Sequence, residues 1–266
     1  MPLPYWPEPL LPNYKAGKYG PWTLSRTQTL YKVPGYFTPT AEQPPGWVLK
    51  KNRTVWMSLT RMEVESQMMH IAAARGHVVI AGLGMGFALY NIMRKPEVTR
   101  VTVLEISNQI IKLMDKTTTW RQWPGFNKVQ IIEGDAREYK TNEPVDFLFA
   151  DIWEHLGSYD ALPVTQTIQS NVQAKEVGFW GQEYDLVSWC MQHNINSTKV
   201  NRRHYRAFCK DVNLPLIEQD DLRYPRLALL SVTLQTAAYE RDPEAKALLG
   251  IQAYALTQED DPFTIR

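Results

Sequence analysis

Residues 78–86 read Val-Val-Ile-Ala-Gly-Leu-Gly-Met-Gly, an apolar run that breaks into three alternating glycines. Glycine at Gly82, Gly84 and Gly86 lets a chain turn sharply and lets a ligand approach the backbone with no Cβ in the way. The dinucleotide spacing G-x-G-x-x-G is not met, because position 87 is Phe87. Three carboxylates follow, each closing an apolar run: Glu105 after Val-Thr-Val-Leu, Asp135 in Glu-Gly-Asp-Ala, and Asp151 after Phe-Leu-Phe-Ala. About twenty residues past a glycine loop, a carboxylate such as Glu105 can accept hydrogen bonds from both ribose hydroxyls. Asp135 can accept from the exocyclic amine of an adenine, and Asp151 points into the same crevice. One acidic strand end is commonplace; three beside a glycine loop form a constellation.

These residues need a scaffold, and the pattern around them supplies one. Strands are expected at 77–81, 101–105, 128–132 and 145–150, with helices at 87–94 and 108–116 between them. Such alternation implies right-handed βαβ units and a parallel sheet with helices on both faces, a Rossmann-like α/β fold. Before it, 47–49 and 54–59 flank a polar turn at Lys51-Asn52-Arg53 and predict a β-hairpin. Thr60 and Glu63 have the spacing of a capping box, which predicts a helix running on to Gly76. After His155 the alternation stops. Helical or irregular segments are expected at 164–173, 182–192, 199–211 and 243–249, residues 226–234 are a strand or a buried helix, and no fifth parallel strand is legible.

The first 45 residues hold ten of the 18 prolines, a density that forbids regular helix. They are also rich in tryptophan and tyrosine, unlike a solvated tail. The expected organisation is therefore an extended arm over 1–45, a ligand-binding domain with its hairpin over 46–155, and a mainly helical region over 156–266. The arm would pack on its own core or embrace a second copy.

Charge and composition bound the partners. Lys+Arg of 29 against Asp+Glu of 28 leaves a net charge of +1, which gives no support for nucleic-acid binding. Cys190 and Cys209 form no C-x-x-C pair, so neither a disulfide framework nor a cysteine metal site is expected, and a reducing cytoplasmic setting fits. No run approaches the ~20 apolar residues that span a bilayer, and the proline-rich start does not read as a signal peptide. H-E-x-x-H, G-x-S-x-G and Walker sequences do not occur.

Residues 78–86, Glu105, Gly134-Asp135-Ala136 and Asp151 together resemble the successive motifs of class I S-adenosylmethionine-dependent methyltransferases. The hairpin and helix before the glycine loop resemble the spermidine-synthase-like branch, over roughly residues 47–155. The segments from Asp151 to His155 and from Gly178 to Gln182 also resemble methyltransferase-like proteins of phages. The resemblance implies S-adenosylmethionine as cofactor, with Gly82, Gly84 and Gly86 facing its methionine half and Glu105 holding the ribose. It places Asp135 and the Ala136 amide on the adenine, Asp151 on the cofactor's amino group or the incoming nucleophile, and Gln67 against the cofactor. Two departures from the polyamine synthases count against aminopropyl transfer. Ser66 stands where they carry tyrosine, and Asp151-Ile-Trp-Glu154 replaces their D-x-x-D.

The implied reaction is methyl transfer to a small-molecule acceptor. Should that acceptor have to lose a proton, Asp151, Glu154, His155 and Tyr159 are the candidate bases. Other chemistry on the same cofactor, by a lyase or by aminopropyl transfer, and non-catalytic binding remain alternatives. The absence of an N/D-P-P-Y/F segment at the fourth strand argues against methylation of base amines. Trp120 and Trp123 are expected to pack in the core, and Trp153 to stack on the adenine or to seal the crevice. The basic run from Arg202 to Arg206 is expected to be a solvated helix face.

Overall fold

A computed structural model describes residues 6–38, 41–196 and 199–218, together with Tyr224, Ala228, Ser231 and Val232. At its centre lies a parallel sheet of five strands: β7 (Gly76–Ala81), β8 (Val98–Glu105), β9 (Val129–Glu133), β10 (Phe147–Ala150) and β11 (Glu176–Phe179). Their order across the sheet is β11-β10-β7-β8-β9. The chain winds outward from β7 in one direction as far as β9, then returns to β7's other side with β10 and β11. The order therefore reverses between β7 and β10, the doubly wound topology whose ligands bind beyond the strands' carboxyl ends at that reversal. Val78 to Ala81 of β7 and Phe147 to Ala150 of β10 are apolar and all buried because both faces of the sheet are covered.

Helices α2 (Phe87–Met93), α3 (Asn108–Thr117) and α4 (Ala161–Val172) provide crossovers between these strands. Helix α1 (Arg61–Ala73) leads into β7, and α5 (Gln182–Gln192) and α6 (Arg202–Asp211) follow β11. The α/β fold agrees with the sequence pattern, with one correction. The region after residue 155 is not only helical, because β11 pairs with β10 in parallel and completes the sheet. The segments 226–234 (apart from Ala228, Ser231 and Val232) and 243–249 lie outside the described residues.

Ahead of the parallel sheet stands an antiparallel one, ordered β1 (Gly17–Tyr19), β2 (Trp22–Arg26), β5 (Trp47–Lys51) and β6 (Thr54–Ser58). A second small ladder joins β3 (Leu30–Val33) to β4 (Ala41–Gln43). The described residues of the proline-rich segment, 6–38 and 41–45, include four short strands and are built into the protein. Strands β1 and β2 extend the expected hairpin, β2 pairing with β5 across residue 46, and Tyr14, Trp22 and Leu24 are buried. The hydroxyl of Tyr14 donates to the Met85 carbonyl in the glycine loop at 2.9 Å. Further along, the Tyr36 hydroxyl donates to the buried carboxylate of Glu183 on α5 at 2.6 Å, and Tyr224 donates to the same carboxylate at 2.8 Å.

Among the described residues, no helix is long and apolar enough to cross a membrane, and no group of His, Cys, Asp and Glu could hold a metal ion.

Candidate cofactor and acceptor site

At the reversal point lies a cavity of about 400 Å³. The strand ends form its base, while Met57, Trp56, Lys51 and Trp22 of the antiparallel sheet wall its other side. Gly82 and Gly84 line it, and both need to be glycine. Gly82 has φ +96°, and a Cβ there would stand 2.1 Å from the Asp151 carbonyl oxygen. Gly84 has φ +51°, and its Cβ would fall 2.8 Å from Met57 Sδ. The loop is thus pressed between β10 and the antiparallel sheet, leaving backbone surface for a ligand. Gly86 does not line the cavity; its left-handed φ of +71° at the start of α2 explains that glycine.

Glu105 closes β8, is 7% exposed and lines the cavity. Its Oε2 accepts from the Leu83 amide at 2.9 Å and its Oε1 from the Ser107 amide at 2.8 Å. One carboxylate therefore fixes the glycine loop and the start of α3, and its four lone-pair sites leave capacity for a further donor. Burial nonetheless raises its pKa above the usual value. Beside it, Ile106 is 67% exposed on the cavity wall, an apolar face with room for a flat ring. Asp135, Ala136 and Arg137 complete that side. The Arg137 side chain bonds both Asp135 oxygens, and this pairing holds the Asp135 pKa below the usual value.

The other end of the cavity is acidic and aromatic. Asp151 Oδ2 accepts from Gln67 Nε2 at 3.0 Å, joining the end of β10 to α1. Burial pushes the Asp151 pKa up to about 7. Gln67 is 1% exposed, and its Oε1 has no hydrogen-bond partner. An acceptor left in that condition costs ~1–3 kcal/mol, which a ligand donor would recover. One turn earlier on the same helix face stands Glu63, which also lines the cavity.

The capping-box expectation for Glu63 is corrected here. Thr60 makes no side-chain cap; instead Glu63 Oε2 accepts from the Ser58 amide and the Ser58 hydroxyl, each at 2.7 Å. Burial, together with the nearby Asp151 carboxylate, pushes the Glu63 pKa up to about 8, against the lowering effect of Ser58. Sequence reasoning missed Glu63 as a cavity residue. The available signal was its i, i+4 spacing from Gln67.

Trp153 and Trp180 wall this end. The Trp180 indole N–H donates to Ser66 Oγ at 2.8 Å. The small side chain at Ser66 is thus matched by an indole arriving from the end of β11. Trp120 and Trp123 are buried outside the cavity lining, as core packing requires.

The structure therefore brings Gln67, Gly82, Gly84, Glu105, Asp135, Ala136 and Asp151 around one cavity. Glu154 and His155 are not among its lining residues: they lie on the loop after β10, 4.0 Å from each other, with the His155 side chain 51% exposed. Tyr159 is 95% exposed and also outside the lining. On α6, Arg202 and Arg206 pair with Glu218, consistent with a solvated helix face.

No protein-family model matches this sequence, and no curated protein matches it. Solved structures share parts of the fold. Spermidine synthase from Thermotoga maritima is 13% identical over 69% of this chain and 64% of its own, with a TM-score of 0.40. The precorrin 8w decarboxylase from Methanobacterium thermoautotrophicum is 21% identical over 42% of this chain and 58% of its own, with a TM-score of 0.32. The CcbJ methyltransferase from Streptomyces caelestis is 17% identical over 39% of this chain and 44% of its own, with a TM-score of 0.30. The chain thus spans less than two thirds of each of these proteins. All three TM-scores fall below 0.5, and the site stands on its own geometry.

Proposed function

We propose that the chain is a transferase that binds S-adenosylmethionine in the switch-point cavity and passes its methyl group to a small-molecule acceptor. The observation that carries this reading is the convergence of the pressed glycine loop, Glu105, Asp135 and the orphaned Gln67 Oε1 on one cavity of about 400 Å³. The residues fit the cofactor at each point. Glu105 has lone pairs for ribose hydroxyls, Ile106 offers a face to an adenine, and Asp135 with the Ala136 amide can read its edge. Gln67 Oε1 lacks the donor that an ammonium group would bring.

When bound, the cofactor supplies a methyl carbon activated by a sulfonium and open to in-line displacement. The protein's task is then to orient the two reactants and keep water out. Met57, Trp153 and Trp180, each at most 8% exposed, close the cavity on the acidic side. Asp151 takes up or releases a proton near neutral pH, which suits it to accept one from an acceptor hydroxyl or amine. Gln67 Nε2 holds that carboxylate in place. Glu154 and His155, outside the lining, are left with at most a supporting part.

Incubation with S-adenosylmethionine and a small-molecule extract, followed by mass spectrometry, tests the reading. S-Adenosylhomocysteine formed only when the extract is present supports methyl transfer. Methylthioadenosine formed without the extract assigns lyase chemistry instead. Methylthioadenosine formed only with the extract assigns transfer of another group, and binding without turnover assigns a binding protein.

A further inference from the structure

We propose that Lys51 recognises a carboxylate, so that the cavity accepts a ligand with an intact amino-carboxylate end and discriminates against its decarboxylated form. This rests on the adenosylmethionine reading above and extends it to which form of the cofactor is used.

Among the described residues, two cationic side chains line the cavity, Lys51 and Arg137. Arg137 is committed to Asp135. Among the described residues, Lys51 has no carboxylate within ion-pair distance. Its ammonium rests instead over two indoles, 5.4 Å from the Trp22 ring centre and 5.6 Å from that of Trp56. The indoles meet edge to face, with centroids 5.4 Å apart and planes at 86°. This platform is built into the fold. Leu49 pairs with Met57 and Lys50 with Val55, so Trp56 has no partner across the ladder, and the bulge re-aims its ring. An exposed cation–π contact contributes only ~0.5–1 kcal/mol, so the platform holds the ammonium without competing with a stronger anionic partner.

The far end of the cavity has the opposite character. Glu63, Gln67 Oε1 and Asp151 present acceptors, and a carboxyl that ionises there repels an anionic group. An ammonium fits these acceptors, and a carboxylate must turn elsewhere. Ser58, which holds Glu63, lies two residues along β6 from Trp56, ~7 Å of extended chain. Strand β6 thus carries both the support of the acidic floor and one ring of the Lys51 platform.

Calorimetry with two probes tests this: S-adenosylhomocysteine and its decarboxylated counterpart, S-adenosyl-3-thiopropylamine. The unaltered protein should bind the first roughly tenfold or more tightly than the second. Lys51→Met keeps the aliphatic stem on the indoles but removes the charge. It should weaken S-adenosylhomocysteine by roughly tenfold and leave the decarboxylated probe unchanged, and Lys51→Arg should restore most of the loss. Equal binding of both probes by the unaltered protein overturns the proposal while leaving the cofactor reading intact. So does an equal loss of both in Lys51→Met, which would mean that the lysine only shapes the wall. Failure of the unaltered protein to bind either probe overturns both.

Discussion

Replacing Glu63 by glutamine should flatten the pH dependence of stability. Glu63 is 8% exposed, and burial pushes its carboxyl to about 8 from its ordinary value of 4.5. Between those values the folded chain holds a proton that the unfolded chain has lost, so unfolding releases a proton and stability falls as pH rises. One group bound in this way costs about 1.4 kcal/mol for each pH unit, and the loss ends above the folded value. From pH 5 to pH 8 the upper bound is about 4 kcal/mol, which partial hydration from the open cavity reduces to about 2. Glutamine keeps an oxygen for the Ser58 amide and hydroxyl but has no proton to lose. Urea unfolding at pH 5, 6, 7 and 8, followed by tryptophan fluorescence, should therefore show Glu63→Gln gaining about 2 kcal/mol on the parent protein across that range. Parallel pH profiles for the two proteins would refute the reasoning, because Glu63 would then be ionised in both states.

The same carboxyls make ligand binding pH-dependent. If an ammonium sits against Glu63 and Asp151, affinity for S-adenosylhomocysteine should rise about tenfold from pH 6 to pH 8.5, and calorimetry in two buffers should detect proton release. A flat profile would remove the ammonium from that end of the cavity. Gly82→Ala should cost about 2 kcal/mol or more in urea unfolding and abolish S-adenosylhomocysteine binding, because φ is +96° and the Cβ would sit 2.1 Å from the Asp151 carbonyl. Lys95→Met should cost about 1–3 kcal/mol with cofactor affinity unchanged, because the Lys95 ammonium donates to the carbonyls of Ile71, Ala72 and Ala74 and closes the end of α1. A thermal melt superimposable on the parent's would show that water replaces that cap freely.

The central sheet was legible where its strands are long and apolar. Residues 77–81 and 101–105 lie within β7 and β8, and their glycines and acids fall at the strand ends as read. Strand β11 was not legible because it has only four residues, Glu-Val-Gly-Phe, with a glycine in the middle. That glycine answers to a tertiary contact: a Cβ on Gly178 would stand 2.3 Å from His70 Nδ1, on a ring stacked 4.6 Å over Phe149. Strands β1 and β2 were hidden among the prolines. Pro21 sits in the turn between them, while the alternation of buried Trp22 and Leu24 marks a half-buried strand.

At the site, the carboxylates beside the loop could be read from their positions after apolar runs. Local spacing misled at Glu63, whose carboxylate takes the Ser58 amide and hydroxyl while Thr60 makes no side-chain cap. Glu154 and His155 follow Asp151 in sequence but lie outside the cavity lining. Lys51 sits in a turn-like sequence, and its platform depends on β2 and a bulge in β6.

A crystal structure of the protein with S-adenosylhomocysteine tests the central claim most directly. The predicted result places the ribose hydroxyls on Glu105, the adenine between Ile106 and Asp135, and the amino group against Gln67 Oε1, with open space beside the sulfur facing Asp151. Adenosine density elsewhere on the protein, or a cavity left empty at saturating ligand, would contradict it.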